Sequence, residues 1–281
     1  MKRLPPVLAM ALLSGIAHAQ SERAGWTRAD RSPRDEARLF HATVAVNLPT
    51  SETLQRGLYQ FEISHRFVPP FSGGFDDLYG LDGPVNIRLG LGYAVTDHLL
   101  VTLARSNVMD NLDLQVKYGS VSAGKGSLPV QGALVAGVAW NTDVPWRDGT
   151  HSRDFQLYGQ AVVNFRLASK WAVGIVPTVL YNSILESEDV EQALTLGVYG
   201  QWYLTGLLSL LAEWNITEAG YYYRHDAAAF GIELETGGHF FKIVATNSTA
   251  LNPSQYVIGT NDAFDPDEWR LGFNITRLLK F

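Results

Sequence analysis

Apolar and polar residues alternate along most of the chain from residue 57 onwards. In the stretch 85–93 every odd position is apolar, whereas the even positions carry Asn86, Arg88, Gly90 and Gly92. A period of two is that of a β-strand whose two faces meet different surroundings. About twelve such strands are predicted, at 57–67, 84–94, 97–107, 111–120, 129–140, 154–165, 169–182, 192–204, 206–216, 227–235, 238–247 and 268–281.

The connections between the predicted strands are alternately short and long. An up-and-down antiparallel β-barrel in an outer membrane has short periplasmic turns and long outer loops. The chain therefore predicts an all-β transmembrane barrel of about 12 strands, or alternatively 14, with both termini periplasmic. A soluble sandwich would share the alternation of faces but not that of loop lengths. Two connections depart from this alternation, because 107–111 is short where a long loop is expected and 120–128 is long where a short turn is expected. The short turns are at 95–96, 167–168, 205 and 236–237, and the long loops are at 68–83, 141–153, 183–191, 217–226 and 248–267.

The last predicted strand ends on an aromatic residue. Between Trp269 and Phe281 apolar side chains occupy alternate positions, interrupted only by Arg277. A long alternating strand ending on phenylalanine is typical of the assembly signal of outer-membrane barrels. We therefore expect Phe281 to be this signal, with the barrel-assembly machinery and outer-membrane lipids as partners. Aromatic residues near the strand ends would form an interfacial girdle: Tyr93, Trp140, Phe165, Trp171, Tyr181, Trp202, Trp214 and Trp269.

The composition excludes several classes of protein. The 281 residues are 46% hydrophobic and 18% charged, with no cysteine and a formal net charge of −6. Without cysteine there are no disulfides, thiol nucleophiles or cysteine-bound metals, and the negative charge argues against a nucleic-acid partner. Because no apolar run reaches the roughly 18 residues of a membrane-spanning helix, this chain can cross lipid only as a closed barrel.

The N-terminus has the features of a secretory signal peptide. Lys2 and Arg3 precede an apolar stretch at 4–16 and the small-x-small site Ala17-His18-Ala19. We expect cleavage after about Ala19, rather than an N-terminal membrane anchor. Together with the barrel pattern, this predicts location in the bacterial outer membrane.

The residues between the signal peptide and the first clear strand are assigned to the periplasm. The stretch 20–38 is polar and without periodicity, which favours a mobile segment; the alternative is a plug that enters the barrel. Residues 39–47 could form one short strand, although Pro49 favours a turn or a short helix capped by Thr50 or Ser51. The predicted division is signal peptide 1–19, periplasmic segment 20–56 and barrel 57–281.

Several short motifs resemble a known family. Together they resemble an uncharacterised family of bacterial outer-membrane β-barrel proteins, known only as a domain of unknown function. The resemblance covers roughly 39–281 and is densest before residue 120. It implies the barrel architecture, and it implies no activity, substrate or catalytic residue. The motifs are TSETLQRGLYQFEISHRF at Thr50–Phe67, Gly80-Leu81-Asp82, RLGLGYAVTD at 88–97, Arg105-Ser106 and Val116-Lys117-Tyr118.

Charged residues lie on the predicted inner face of the barrel. A barrel of about twelve strands is intermediate between small filled barrels and open porins. The interior is therefore either a hydrated, salt-bridged core that plugs itself, or a narrow pore with cations opposite acids. Opposed charges of this kind favour small polar or zwitterionic solutes. The pore-lining candidates are Arg66, Arg88 and Lys117 opposite Glu213, Glu233 and Glu235, together with Glu62, Asp113 and Arg270.

An outer-membrane enzyme such as a lipid hydrolase is a less favoured alternative, because no catalytic arrangement is evident. Ser64 and His65 are neighbours on one strand and point to opposite faces, and no serine lies in a Gly-x-Ser-x-Gly motif. The acidic loop clusters at 76–77, 186–189 and 262–268 match no EF-hand spacing. We predict no catalytic residues, no metal site and no cofactor.

Two loop tips carry aromatic residues beside arginine. The tips at Trp146 and at Tyr221, Tyr222, Tyr223 and Arg224 would be exposed in the predicted topology. Aromatic residues beside arginine suit contact with protein or sugar. The predicted function is a narrow channel for small polar solutes, and the alternative is a closed barrel scaffold whose loops bind a partner. The other expected partner is a small solute or an unidentified periplasmic component.

Overall fold

The computed structural model describes residues 38–123, 129–145, 147–219 and 223–281. Within them, twelve antiparallel strands form a closed barrel in which each strand pairs with its neighbours in sequence and β1 pairs with β12. The predicted closed barrel of about twelve strands is confirmed. The strands are β1 Leu58–Phe67, β2 Val85–Ala94, β3 Leu99–Ser106, β4 Asn111–Ala123, β5 Val130–Asn141, β6 Phe155–Ala168, β7 Trp171–Tyr181, β8 Gln192–Tyr203, β9 Leu208–Ala219, β10 Ala227–Glu235, β11 His239–Thr246 and β12 Arg270–Lys280.

The register of the closing strands keeps like faces together. Ile63 of β1 lies opposite Ile275 of β12 on one side and opposite Leu89 of β2 on the other. Apolar side chains therefore form continuous rows on the outside of the barrel, where Leu91 is 50% exposed and Ile243 is 68% exposed. The polar positions of the same strands point inward and are buried, as the alternation predicts.

The two ends of the barrel differ. The connections β2–β3, β6–β7, β8–β9 and β10–β11 lie at one end, here called the short-turn end. The connections that follow β1, β3, β5, β7, β9 and β11 lie at the other end, here called the long-loop end. None of the helices in the described part of the chain is long and apolar enough to cross a membrane. The helical turns are 3-10 segments at Phe71–Gly80, Val108–Asp110 and Ser152–Asp154, and one α-helix, α1, at Pro253–Tyr256.

Aromatic pairs lie on the outer surface at both ends. Trp171 and Trp202 stack at the short-turn end with ring centroids 5.0 Å apart, and Trp140 stacks on Phe155 at the long-loop end at 5.8 Å. Such pairs contribute about 0.5–1.5 kcal/mol beyond their area burial. Phe281, the expected assembly signal, is exposed at the short-turn end and contacts Tyr59 edge-on.

Residues 38–57 are here named the lumenal segment. Residues 39–54 lie inside the barrel, and Arg56 is exposed beside Asp97 at the short-turn end. The assignment of 20–56 to the periplasm is therefore wrong for the described part, because apolar residues of this segment are buried within the lumen. The segment forms neither a barrel strand nor the predicted helix. It turns back on itself through a bridge between Val44 and Pro49, with Thr50 N–H donating to the Thr43 carbonyl at 3.0 Å. Residues 1–37 lie outside the described residues.

A second stretch enters the barrel from the long-loop end. Residues 248–260, here named the inward loop, include α1 and bury Leu251, Tyr256 and Val257 almost completely. This stretch was predicted only as part of a long outer loop. Its apolar side chains explain the difference, since they gain by leaving water for the lumen. The tip of the lumenal segment and Pro253 of the inward loop line one small cavity of about 20 Å³, room for roughly one water molecule.

Candidate functional site in the lumen

The inner surface of the barrel has two chemically different sides. On β5 to β8 the inward positions are mainly apolar and form one buried cluster that includes Val135, Val162, Ala172, Val176 and Leu180. We call this side the apolar wall. The remaining strands carry most of the inward charged residues and form the charged wall. The inward Arg166 of β6 is an exception and donates to the Arg38 carbonyl of the lumenal segment. The lumenal segment lies between the two walls and contacts both.

Apolar side chains of the lumenal segment pack on the apolar wall. Leu39, Phe40 and Leu48 belong to the same buried cluster as that wall, and the Phe40 ring meets Tyr199 edge-on at 5.2 Å. Leu48 fits against Gly197, where an added Cβ would come within 2.5 Å of Leu48 Cδ1. Burying such a side chain contributes about 1.5–3 kcal/mol, so these contacts favour the segment inside the barrel.

On the charged wall, Glu213 binds the backbone of the segment. Its carboxylate accepts hydrogen bonds from the N–H groups of Val46 at 3.1 Å, Asn47 at 3.0 Å and Leu48 at 2.9 Å. Successive N–H groups that converge in this way form a nest for an anion. The single inward carboxylate thus satisfies three donors at the turn of the segment, which would otherwise be buried without partners.

Two lysines bind the carbonyl groups of the same turn. Lys117 Nζ donates to the carbonyl oxygens of Thr43 at 2.7 Å and Thr50 at 3.2 Å. Lys242 Nζ donates to the carbonyl of Val44 at 2.6 Å and also to that of the next residue. Each lysine is nearly fully buried. The charged wall therefore binds main-chain atoms, with Glu213 accepting from N–H groups and the two lysines donating to carbonyls.

Charged residues of neighbouring strands also pair with one another. Glu62 of β1 lies 2.7 Å from Arg88 of β2, and Glu233 of β10 lies 3.4 Å from Lys242 of β11. Glu233 also contacts His41 Nδ1 of the lumenal segment at 2.9 Å. The sequence analysis placed cations and acids on opposite sides of the lumen. In these two pairs the cation and the acid instead lie on neighbouring strands of the same wall.

The part of the charged wall nearest the long-loop end binds the inward loop. Arg88 Nε donates to Asn252 Oδ1 at 2.7 Å, and Asn215 Nδ2 donates to the Val257 carbonyl at 2.9 Å. Nearby, the hydroxyl of Tyr158 donates to the buried carboxylate of Asp113 at 2.9 Å. Arg88 therefore connects a wall carboxylate with the inward loop.

The last two pore-lining candidates lie at the ends of the barrel. Glu235 accepts a hydrogen bond from Gly238 N–H at 3.0 Å and so caps the β10–β11 turn at the short-turn end. Arg270 lies at the long-loop end, 2.9 Å from Asp262. Both stabilise a connection, and the other seven candidates are buried on the inner face between the ends.

Glu52 is the one acid that the lumenal segment itself contributes. Its Oε1 accepts hydrogen bonds from the N–H groups of Leu39 at 2.8 Å and Phe40 at 3.2 Å. Burial raises the pKa of the Glu52 carboxyl above its ordinary value, in spite of these bonds and of Arg38 nearby. The carboxyl ties the start of the segment to its second half.

The candidate loop residues are only partly described. Tyr223 is half-buried and packs against the apolar cluster, so it does not lie on an exposed tip as the sequence suggested. Arg224 is exposed. Trp146, Tyr221 and Tyr222 lie outside the described residues.

Ser64 and His65, the neighbouring serine and histidine considered in the sequence analysis, do not form a nucleophile–base pair. Ser64 is buried in the lumen and donates to Glu62 at 3.0 Å. His65 points outward, and its ring lies tilted against that of Phe273 with centroids 4.5 Å apart. In the described ranges no group of three His, Asp or Glu side chains lies close enough to hold a metal ion.

The lumenal segment is the functional feature that sequence reasoning placed elsewhere. Asn47, which contacts the charged wall, was predicted to lie in a short strand or turn. Leu48, which contacts both walls, lies just after that stretch. One signal was available in β7, where the inward residues Ala172 and Val176 are as apolar as the outward ones. A strand apolar on both faces is buried on both faces, which implies that something apolar occupies the lumen beside it.

A twelve-stranded closed barrel with an apolar outer surface and a polar, charged inner face defines an outer-membrane β-barrel protein. Residues 40–279 match the family described as a membrane-bound beta barrel domain (DUF5777). The chain belongs to this family, as the motifs implied. No curated protein sequence matches it.

Two porins and an outer-membrane channel are among the solved structures that resemble this chain. The NanC porin has a TM-score of 0.48 and 8% identity, with 79% of this chain and 99% of that chain covered. The KdgM porin has a TM-score of 0.44 and 6% identity, with 80% and 99% covered. An outer-membrane channel from Pseudomonas putida F1 has a TM-score of 0.44 and 15% identity, with 81% and 97% covered. At these identities and TM-scores the likeness carries no conclusion about this chain.

Proposed function

We propose that this protein is an outer-membrane channel for small polar solutes, and that its own lumenal segment closes it. The observation that carries the proposal is that the charged wall holds this segment through main-chain atoms. Glu213 accepts from its N–H groups, and Lys117 and Lys242 donate to its carbonyls. Water or a polar solute can replace each of these bonds, since a single one contributes only about 0.5–3 kcal/mol net.

Withdrawal of the segment toward the short-turn end would leave a lumen with one hydrated side. The wall exposed in this way carries cations such as Arg66 and Lys117 and the acid Glu213. Charges of both signs along one wall favour solutes that are polar or zwitterionic. A permanently filled barrel has less need of buried charges, because neutral amide and hydroxyl side chains can also pair the main-chain N–H and carbonyl groups of a fixed segment.

A closed scaffold is the second candidate, and the apolar wall favours it. Leu39, Phe40 and Leu48 are nearly fully buried against that wall. Withdrawal of the segment exposes this surface to water, which costs about 1.5–3 kcal/mol for each such side chain. In a closed scaffold these contacts are permanent, and function resides in the loops.

A reversible crosslink between segment and wall tests the proposal. A Cβ added at Gly197 would lie 3.3 Å from Leu48 Cγ, near the roughly 3 Å between a sulfur and its partner's Cβ in a disulfide. The variant Leu48→Cys/Gly197→Cys therefore locks the segment when oxidised, and the chain has no other cysteine. We expect planar-bilayer conductance steps after reduction and none after oxidation.

Matched variants separate gating from damage to the barrel. Leu48→Cys alone and Gly197→Cys alone cannot form the crosslink and should conduct alike with and without reductant. Folding of every variant is checked by the shift in gel mobility on heating. If the crosslinked and reduced forms behave alike, whether both conduct or neither does, gating by the segment is wrong. Silence of both forms would favour the closed scaffold.

A further inference from the structure

The long-loop end contains a cleft that none of the lumenal contacts explains. It has a volume of about 210 Å³ and lies between the inward loop and the ends of several strands. Its described lining includes Asn86 from β2, Gln156 from β6, Ser183 from the β7–β8 loop and Gln255 from α1. The cleft is smaller than the roughly 300–1,000 Å³ pockets that enclose drug-sized ligands. Its size suits a single ring with polar substituents.

Two lining residues carry buried oxygens without a hydrogen-bond partner. These are Ser183 Oγ and Gln255 Oε1, on side chains that are 1% and 8% exposed. Buried polar atoms are almost always paired in folded proteins, and an exception calls for an explanation. Each oxygen itself has almost no accessible surface, so a ligand hydroxyl, which both donates and accepts hydrogen bonds, pairs with Ser183 Oγ once that side chain rotates toward the cleft.

The groups around these oxygens are held in place before any ligand binds. Gln255 Nε2 donates to the Val108 carbonyl at 2.8 Å, which fixes the amide. Gln156 Nε2 donates to the Asn182 carbonyl at 3.0 Å, next to Ser183. Asn86 Nδ2 donates to the Thr249 carbonyl at 3.2 Å and anchors the inward loop. Preorganised polar groups of this kind lower the cost of binding.

Apolar surface and charge narrow the class of ligand. Leu185, Ile258 and the half-buried Tyr223 give the cleft apolar patches beside the polar groups, as the C–H faces of a sugar ring require. Among the described lining residues the charged side chains are the acids Glu186 and Asp262, with no lysine or arginine. Asp262 is paired with Arg270 at 2.9 Å. An anionic ligand is therefore disfavoured.

We infer that this cleft binds one neutral sugar ring at the long-loop end of the barrel. The inference does not depend on passage through the lumen, because the cleft is formed with the lumenal segment in place. A free monosaccharide and the terminal sugar of a longer glycan present the same ring. Binding is thus measurable whether or not the barrel conducts.

Saturation-transfer NMR on the refolded full chain, in a detergent without a sugar headgroup, tests the inference. The probes are glucose, galactose and mannose, with glucuronate as the anionic counterpart. We expect saturable binding of at least one neutral hexose and weaker binding of glucuronate. Maltotriose distinguishes the two sources of the sugar ring. If maltotriose binds, the ligand can be the terminal sugar of a longer glycan, and if it does not bind, the ligand is a free monosaccharide.

Two variants place the binding in the cleft. Ser183→Ala removes one unpaired hydroxyl and should weaken binding roughly three- to tenfold, the effect of one hydrogen bond. Ala250→Phe fills part of the cleft and should abolish binding. The matched control is Ser187→Ala, in the same loop as Ser183 but outside the cleft, which should bind like the parent. Absence of saturable binding by every neutral hexose, preference for glucuronate, or binding unchanged by both cleft variants in folded protein overturns the inference.

Discussion

Arg66 of β1 and Glu213 of β9 are joined through one side chain of the lumenal segment. Asn47 Oδ1 accepts a hydrogen bond from Arg66 Nη2 at 2.9 Å, and Asn47 Nδ2 donates to Glu213 Oε1 at 3.1 Å. Three strands separate β1 from β9 around the barrel. A single amide therefore bridges a buried cation and a buried acid, with its acceptor toward the first and its donor toward the second.

Replacing Asn47 by alanine should loosen the lumenal segment without opening the barrel wall. The change removes one partner each from Arg66 and Glu213, and hydrogen bonds to charged groups contribute about 1.5–3 kcal/mol. We expect a loss of about 2–3 kcal/mol in urea unfolding in lipid vesicles, followed by tryptophan fluorescence. Asn47→Asp should lose more, because it places a second carboxylate beside Glu213. Equal stability of Asn47→Asp and the parent would show that the bridge is not formed.

Glu213→Gln tests the nest of N–H groups. Glutamine has one acceptor oxygen in place of two and presents an NH2 group to the backbone donors of residues 46–48. It also leaves Arg66 without its nearest acid across the segment. Removing one partner of a buried charge pair costs about 3–5 kcal/mol, so we expect a loss of that order. The control is Glu235→Gln, which keeps the oxygen that caps the β10–β11 turn and should lose less than about 1 kcal/mol. Similar losses in the two variants would contradict the special position of Glu213.

Much of the barrel follows from the sequence, because its alternation is local. Leu91 is exposed and Arg88 buried on one strand as the period of two requires. The lumenal segment does not follow in this way. Asn47 and Glu213 are 166 residues apart, and no local pattern shows that a carboxylate will meet those N–H groups. The polar stretch after Pro49 favours a turn by propensity, and tertiary packing then decides that the turn lies within the lumen.

Gly174 is required by the ring of Tyr199. A Cβ at position 174 would lie 2.2 Å from Tyr199 Cζ, and this tyrosine donates to the Pro49 carbonyl at 2.9 Å. Gly174→Ala should displace the ring, with a cost of about 1–3 kcal/mol for overpacking, and should weaken the hold on the segment. The matched control Gly159→Ala meets its nearest neighbour at 3.6 Å and should stay within about 0.5 kcal/mol of the parent. Equal unfolding midpoints for the two variants would show that the ring can move without cost.

Glu52 should make the stability of the segment depend on pH. Burial raises the pKa of Glu52 in the folded state. The stabilising contribution of its protonated carboxyl to the free energy of unfolding is therefore fully present below the pKa in the unfolded chain, about 4.3. This contribution is lost as the pH rises through the higher pKa that Glu52 has in the folded protein. Glu52→Gln is uncharged at every pH and keeps an acceptor for the N–H groups of Leu39 and Phe40. We expect the variant to match the parent at pH 4 and to exceed it in unfolding free energy at pH 8. A constant difference between the two proteins across this range would contradict the shift.

The charge of the inner face should set ion selectivity once the lumenal segment is removed. In a chain lacking residues 20–56, Lys117 loses the carbonyls of Thr43 and Thr50 to which it donates and faces the lumen as a free cation. Lys117→Glu in this background reverses that charge, so the reversal potential in a salt gradient should move toward cation preference. Lys170→Glu, at the β6–β7 turn outside the lumen, makes the same change of net charge and should leave the potential nearly unchanged. If both variants shift the potential equally, the effect is one of overall charge. In that case Lys117 does not line the conducting path, and the assignment of the charged wall to solute passage is wrong.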